Sequence, residues 1–331
     1  MEYAFSLLPV TVFLLGLFLF DNFKLVRKSL LVISLSWGVV SAVFAYYTNS
    51  SLSEIYNQDL NTFSRYVAPF SEELLKAVVI IGMISMRKIG FTVDAVIYGF
   101  AVGTGFALSE NLVYLYQLSE IQNLTIWIVR GFGTALMHGG ATAILAAILL
   151  IGIQKNKPIF ISVWPGFLAA IVLHGLFNQF LLDPIVQTFA LIMILPIVFY
   201  LIFRQNNLML QDWLEIEFSS EIEMLRMIKQ GDFKSTKSGE YLASLKEYFK
   251  PETIVDLYAY IRLYLELSIA AKRNMMLKES GYDVILDEDI LQDLNELKQL
   301  RKMIGKTGEM AIQPVVRMKH RELWKLNQLK K

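Results

Sequence analysis

The stretch "PFSEELLKAVVI", Pro69 to Ile80, sets Glu72, Glu73 and Lys76 in a run that otherwise reads as lipid-soluble helix. On insertion scales a central Asp or Lys costs roughly 2.5–3.5 kcal/mol, so three such residues together need a reason. Adjacent carboxylates can hold and activate a water as a general base, or they can ligate a divalent metal. Three more apolar segments carry polar groups of the same kind. "GTGFALSENLVY" holds Phe106, Glu110 and Asn111; "RGFGTALMHGGATA" holds Arg130 and His138; "IVLHGLFNQF" holds His174 and Asn178. Glu72 and Lys76, Phe106 and Glu110, and His174 and Asn178 are each four residues apart, so each pair shares a helix face. Ionisable residues in membrane helices normally face a bundle interior or a water-filled cavity and mark function.

Carboxylates, two imidazoles and a carboxamide suit hydrolysis of a polar bond. A glutamate would be the base, and His and Asn would donate hydrogen bonds to a developing oxyanion. A divalent metal, zinc among the candidates, held by Glu72, Glu73, Glu110, His138 and His174 is the alternative route to an activated water. The HExxH signature is absent, and neither histidine has another at metal-binding spacing on its own helix, so ligands must come from different helices. The chain has no cysteine, which excludes thiolate ligands, a thiol nucleophile and disulfides. Plainer readings compete residue by residue. The acidic pair with Lys76 can be a structural ion pair, and a single membrane His or Asn is often helix–helix glue worth about 0.6 kcal/mol. Arg130 near an interface can snorkel to headgroups, and Phe106 can be a wall. A non-catalytic binding protein, such as an immunity factor, a chaperone or a transporter, could use the same cluster. No inverted repeat of the transporter kind is present.

What must position these residues is a membrane bundle. The 331 residues are 55% hydrophobic and 18% charged, with a mean hydropathy of +0.46, more apolar than a soluble domain. Charges are thin before Arg204 and dense after it. The expected fold is all-α: a polytopic bundle of about seven spans over residues 1–204, then a soluble helical domain over 205–331. A span needs about 20 mostly apolar residues, and the candidates are Tyr3–Phe20, Ser29–Tyr47, Phe63–Met86, Val93–Gln117, Leu124–Ile153, Ile159–Leu182 and Ile185–Phe203. The fifth is longer than one crossing requires. "NSSLSEIYNQDLNTF" between the second and third reads equally as a loop or a short interfacial helix.

Lys24, Arg27, Lys28, Arg87, Lys88, Lys155, Lys157 and Arg204 fall in alternate loops. The other loops carry Glu54, Asp59, Glu120 and Asp183. The positive-inside rule then sets the N-terminus outside and the C-terminus in the cytoplasm. At ~1.5 Å per residue, Glu72, Glu110 and His174 lie roughly 10–13 Å below the outer ends of their spans, with His138 somewhat deeper. Four helices thus bring their polar groups to one level in the outer half of the bilayer. The tail after Gln205 has as many basic as acidic residues, and net charge is +1. Neither a polybasic lipid-binding tail nor a nucleic-acid partner is indicated. "PETIVDLYAYIRLYLELSIAAKRNMML" and "LDEDILQDLNELKQLRKMIG" read as helices, the second closing at Gly305. The third histidine, His320, lies in this tail.

Glu72-Glu73-x-x-Lys76, Phe106-x-x-x-Glu110 followed by Asn111, His138, and His174-x-x-x-Asn178 resemble, in order, the motifs of the PrsW intramembrane proteases. These are relatives of the CAAX-processing endopeptidases and the bacteriocin self-immunity proteins. The resemblance covers roughly residues 63–182. It implies an endopeptidase of the bacterial inner membrane that cuts a membrane-protein substrate, such as an anti-sigma factor, near the extracytoplasmic face. In that reading Glu72 and Glu73 hold and activate water, while Glu110, His138, His174 and Asn178 complete the site and stabilise the oxyanion. Lys76, Phe106, Asn111 and Arg130 support them. The family has been described both as glutamic and as metal-dependent, so the cofactor is either none or one divalent metal. The domain after Gln205 lies outside the resemblance and could recruit a cytoplasmic partner.

Overall fold

The computed structural model describes residues 1–21, 24–57, 59–117, 123–282, 288–316, 324–326 and 329, without the side chains of 60, 61, 212, 213, 215, 216 and 288. Glu120 and His320 lie outside the described residues. The fold is 87% helical and has no strand among the described residues, as a helical membrane bundle requires. The chain divides into two compact units, Met1–Asn206 and Asn207–Lys331.

The first unit contains α1 (Glu2–Leu19), α2 (Lys28–Tyr56), the short α3 (Leu60–Tyr66), α4 (Ala68–Ser85), α5 (Thr92–Gln117), α6 (Leu124–Ile128), α7 (Ala135–Gln154), α8 (Ile159–Asn178) and the start of α9 (Pro184–Gln230). Among the described residues, six helical stretches are long and apolar enough to cross a membrane: α1, α2, α5, the run from α6 to α7, α8, and α9 as far as Gln211. The chain is therefore a multi-pass membrane protein. α4, in the third of the seven expected spans, is as long as α1 but carries Glu72, Glu73 and Lys76, which keeps it out of that set. Its two faces explain the charges. Phe70, Leu74 and Val78, at successive i+4 positions, are exposed on one side, while Glu73, Lys76, Ala77 and Ile80 are buried on the other. Apolar groups point outward and charges inward, the reverse of a soluble helix.

α5 is the axis of this unit. Of its apolar window 89% is buried, against 17–28% for α1, α2, α8 and α9, so neighbours must pack on every side of it. Glycines make that possible. A Cβ on Gly103 would stand 2.3 Å from the His138 carbonyl oxygen of α7, and one on Gly105 would stand 2.1 Å from the Leu35 carbonyl oxygen of α2. These backbones touch, as small residues permit between membrane helices.

Three details depart from the spans expected above. The third span is broken at Val67, which separates α3 from α4. Pro69, at the start of α4, lacks the N–H that a continuous helix would use and disfavours helical geometry in the residue before it. α2 runs on through the polar "NSSLSEIY" to Tyr56 and stops at Asn57, which adopts a left-handed conformation (φ 46°). The long fifth span contains a π-helical turn, Val129–Thr134, between α6 and α7. Gly131 and Gly133 lie in that turn, against the Phe5 carbonyl of α1 and the Thr188 hydroxyl of α9. π-turns concentrate at functional sites, and this one holds Arg130.

The second unit is built on α11 (Pro251–Glu279) and α12 (Glu288–Ile312), with α10 (Lys237–Ser244) beside them. Pro251 opens α11 where its missing N–H costs nothing. Leu257, Tyr260, Ile261 and Tyr264 meet Leu297, Leu300 and Ile304 in the core. α12 does not end at Gly305. That residue takes a non-helical conformation (φ 63°) and the helix resumes beyond it. Residues 286 and 287, where the second tail helix was expected to begin, lie outside the described residues.

Candidate active site

Five elements bring the polar residues of the membrane unit together in one chain of contacts. Glu73 on α4 lies 2.6 Å from the Lys76 ammonium through Oε1, and the same oxygen lies 2.9 Å from Nδ1 of His174 on α8. Lys76 Nζ lies 2.9 Å from Nδ1 of His138 on α7. His138 Nε2 is 3.0 Å from Oε2 of Glu110 on α5, and the other oxygen of Glu110 is 3.3 Å from Arg130 Nη2 in the π-turn. His174 Nε2 faces Oε2 of Glu72 across 3.8 Å. The imidazoles of His138 and His174 meet edge to face at 4.7 Å.

The partners set the tautomers. An ammonium only donates, so His138 Nδ1 accepts and its Nε2–H is given to Glu110. A carboxylate only accepts, so His174 carries a proton on Nδ1 for Glu73, and its Nε2 faces Glu72.

Lys76 pairs with Glu73, three residues back, and not with Glu72, its i+4 neighbour. Its ammonium also sits 4.2 Å above the Phe106 ring, which makes Phe106 a cation–π partner as well as a wall. Arg130 does not snorkel. Its Nε donates to Asn111, whose own amide donates to the Ser6 carbonyl of α1, and the guanidinium stacks 3.5 Å from the Tyr114 ring. Glu73, Lys76, His138 and His174 are almost wholly buried, whereas the side chain of Glu72 is 13% exposed and that of Glu110 is 28% exposed. Glu72 and Glu110 are therefore the carboxylates that a substrate can reach. Asn178 takes no part in this chain of contacts. One turn beyond His174, it donates its amide to the Ser64 carbonyl of α3 at 3.0 Å.

Two groups at the site gave no signal in the sequence. Asn49, in the polar end of α2, donates to Glu72 Oε1 at 3.2 Å and accepts from Ser71 at 2.5 Å. Thr142, one turn after His138, donates to the second oxygen of Glu73 at 3.4 Å. Neither stands out in a list of residues. An Asn at the edge of a polar stretch and a Thr in an apolar helix are ordinary, and only the tertiary approach of α2 and α7 to α4 gives them partners.

The donor set fits a divalent metal. One ligand atom each from Glu72, His138 and His174 lie within 4.8 Å of one another. Two imidazoles and a carboxylate form a recurrent catalytic zinc set. His174 also has the carboxylate partner on its far nitrogen that orients ligating histidines, and the Lys76 ammonium shows that the spot beside His138 accepts a cation.

No curated protein and no solved structure matched the chain. The PrsW family of intramembrane metalloproteases matches residues 27–202, more than half of the chain, and that stretch takes in every residue of the contacts above from α2 to α8. With a membrane bundle whose only dense cluster of charge among the described residues of its helices lies inside that stretch, this chain belongs to the PrsW family and is an intramembrane peptidase, a hydrolase.

Proposed function

We propose that the protein is an endopeptidase that hydrolyses a peptide bond of a membrane-embedded protein in the outer half of the bilayer, using Glu72, His138 and His174 to hold one divalent metal. The observation that carries this reading is the approach of those three ligand atoms to within 4.8 Å from three separate helices. Bound there, the metal would polarise the scissile carbonyl and lower the cost of generating hydroxide. Glu73 holds the His174 ring by its Nδ1–H and keeps Nε2 turned to Glu72. Glu110, partly exposed and held by Arg130 on one oxygen and the His138 ring on the other, would complete the site. Asn178 has the amide that an oxyanion would need, and its present partner, the Ser64 carbonyl, lies on the short helix α3. A peptide displacing α3 would free it.

A second reading has one specific observation in its favour. The Lys76 ammonium already occupies His138 Nδ1, so the site can carry its cation within the chain and activate water with Glu72 alone. The resemblance to PrsW proteases supports a bacterial inner membrane and a single-pass substrate such as an anti-sigma factor, and the alternation of basic and acidic loops supports seven crossings with α4 in the third, an outer N-terminus and a cytoplasmic C-terminus. The test is cleavage of a single-pass substrate in proteoliposomes. Glu72→Gln and His174→Ala should each abolish turnover in a folded protein, and unchanged turnover in either removes the proposal. Loss of activity with a chelator and its return with zinc selects the metal reading over the metal-free one.

A further inference from the structure

The groups inside the site already hold one another closely and leave little room. His138 has two ring nitrogens. Nε2 carries a proton that Glu110 accepts at 3.0 Å, which is the contact that a ligating histidine commonly makes through its far nitrogen. The nitrogen left for a cation is Nδ1, and the Lys76 ammonium already lies against it at 2.9 Å. Glu73, at 2.6 Å, and the Phe106 ring, at 4.2 Å, hold the ammonium from its other sides. Lys76 is wholly buried, so water cannot screen it from a second cation beside it.

We infer that Lys76 is a resident cation that competes with a divalent metal for Nδ1 of His138, so that metal uptake requires its ammonium to leave that nitrogen while staying with Glu73 and Phe106. This rests on the metal reading of the site and deepens it: Lys76 sets how tightly the site takes a metal and holds the ligands in place when none is bound. A helper role would have the opposite sign. If Lys76 served only to orient His138, its loss would weaken metal binding by about 10–100-fold, as loss of outer partners of ligands does. As a competitor, its loss strengthens binding, because a like charge in a poorly screened interior is removed and a ligand atom is freed.

The experiment is zinc affinity of the full chain in detergent, read by competition with a fluorescent chelator, for wild type, Lys76→Gln and Lys76→Arg. Glutamine is neutral and keeps a donor for Glu73; arginine keeps the charge. The inference expects Lys76→Gln to bind zinc roughly tenfold tighter or more, with Lys76→Arg no tighter than wild type. Binding by Lys76→Gln that is equal to or weaker than wild type overturns it. A wild type that takes up no zinc, beside a Lys76→Gln variant that does, sinks the metal reading of the native enzyme and leaves the competition standing. Failure of both to bind sinks the two together. Should Lys76→Gln not fold, a zinc-loaded structure of the wild type decides. Lys76 Nζ beyond hydrogen-bond reach of His138 Nδ1 supports the inference, and an intact contact overturns it.

Discussion

Glu73 accepts the Nδ1 proton of His174 across 2.9 Å although the two residues are 101 positions apart in the chain. That contact ties α4 to α8 and makes Glu73 an orienting group, since its own side chain is wholly buried and also holds Lys76 and Thr142. Glu72, one residue earlier, is the member of the acidic pair that opens to the exterior. The two glutamates therefore have different tasks, and substitution should separate them. Glu73→Gln can still accept from His174 but leaves the Lys76 ammonium facing a neutral amide. We expect kcat/KM to fall by about 10–100-fold, the usual cost of an outer partner, with a lower thermal midpoint in detergent. Glu72→Gln should abolish turnover at an almost unchanged midpoint. Equal midpoints for the two variants would contradict this division.

Asn49 is the donor that fixes Glu72. A hydrogen bond to a charged group is worth roughly 1.5–3 kcal/mol, so Asn49→Ala should lower kcat/KM by about 10-fold or more while leaving the fold intact. Asn49→Asp should be worse, because it places a second carboxylate against Glu72 Oε1, where the amide donates now at 3.2 Å. Proteoliposome cleavage assays on the two variants check this. Full activity in Asn49→Asp would show that the contact does not matter.

The close approach of α5 to α7 gives a paired prediction on stability. A methyl on Gly103 would meet the His138 carbonyl oxygen at 2.3 Å, whereas one on Gly82 of α4 would meet nothing within 4 Å. Gly103→Ala must push two backbones apart, at a cost of about 1–3 kcal/mol, and it moves the helix that carries Glu110 away from His138. Gly82→Ala should be neutral or slightly stabilising, since alanine favours a helix by roughly 1 kcal/mol over glycine. Thermal midpoints measured side by side, with activity, test both. Equal behaviour of the two would mean that the α5–α7 contact yields without strain.

The physics that made the site legible also set the limit of what could be read. Glu72, Glu73, Lys76, Glu110, His138 and His174 stand out because each is costly in lipid, so each needs a partner on another helix. Helix spacing then supplies the level at which partners meet. Asn49 carries no such mark, since it lies where α2 leaves its apolar run, and a polar residue there is unremarkable. The length of α2 was hidden for the same reason: the chain leaves its apolar run at residue 48, and the Asn49–Ser71 and Asn49–Glu72 contacts that tie this end of α2 to α4 exist only in the folded bundle. The pairing of Lys76 with Glu73 was equally hidden, because positions i+3 and i+4 are both neighbours on a helix. Only the presence of His138 beside α4 decides between them. The π-turn at Val129–Thr134 has no periodicity of its own and showed only as excess length in the fifth span.

The second unit contains a buried network of lysine and glutamate as well. Lys272 on α11 and Lys325 are both wholly buried, and both reach Glu221, at 3.2 and 2.9 Å, while Ser268 donates to the same carboxylate at 2.5 Å. One glutamate thus meets two buried ammonium groups, of which Lys272 also reaches Glu217 at 3.4 Å, and removing it takes away a counter-charge that they share. Breaking a buried pair by deleting one partner costs about 3–5 kcal/mol, whereas replacing the whole set by apolar groups of similar size is often neutral. Glu221→Ala in the full chain should therefore expose this unit to limited proteolysis at a markedly lower temperature. The triple variant Glu221→Leu, Lys272→Met and Lys325→Met should recover most of the protection. Every residue of the candidate site lies in the first unit, so substrate cleavage by the triple variant should stay near wild type. Proteolysis of Glu221→Ala at the wild-type temperature would show that the two lysines find enough compensation elsewhere, and that Glu221 is not the keystone of this core.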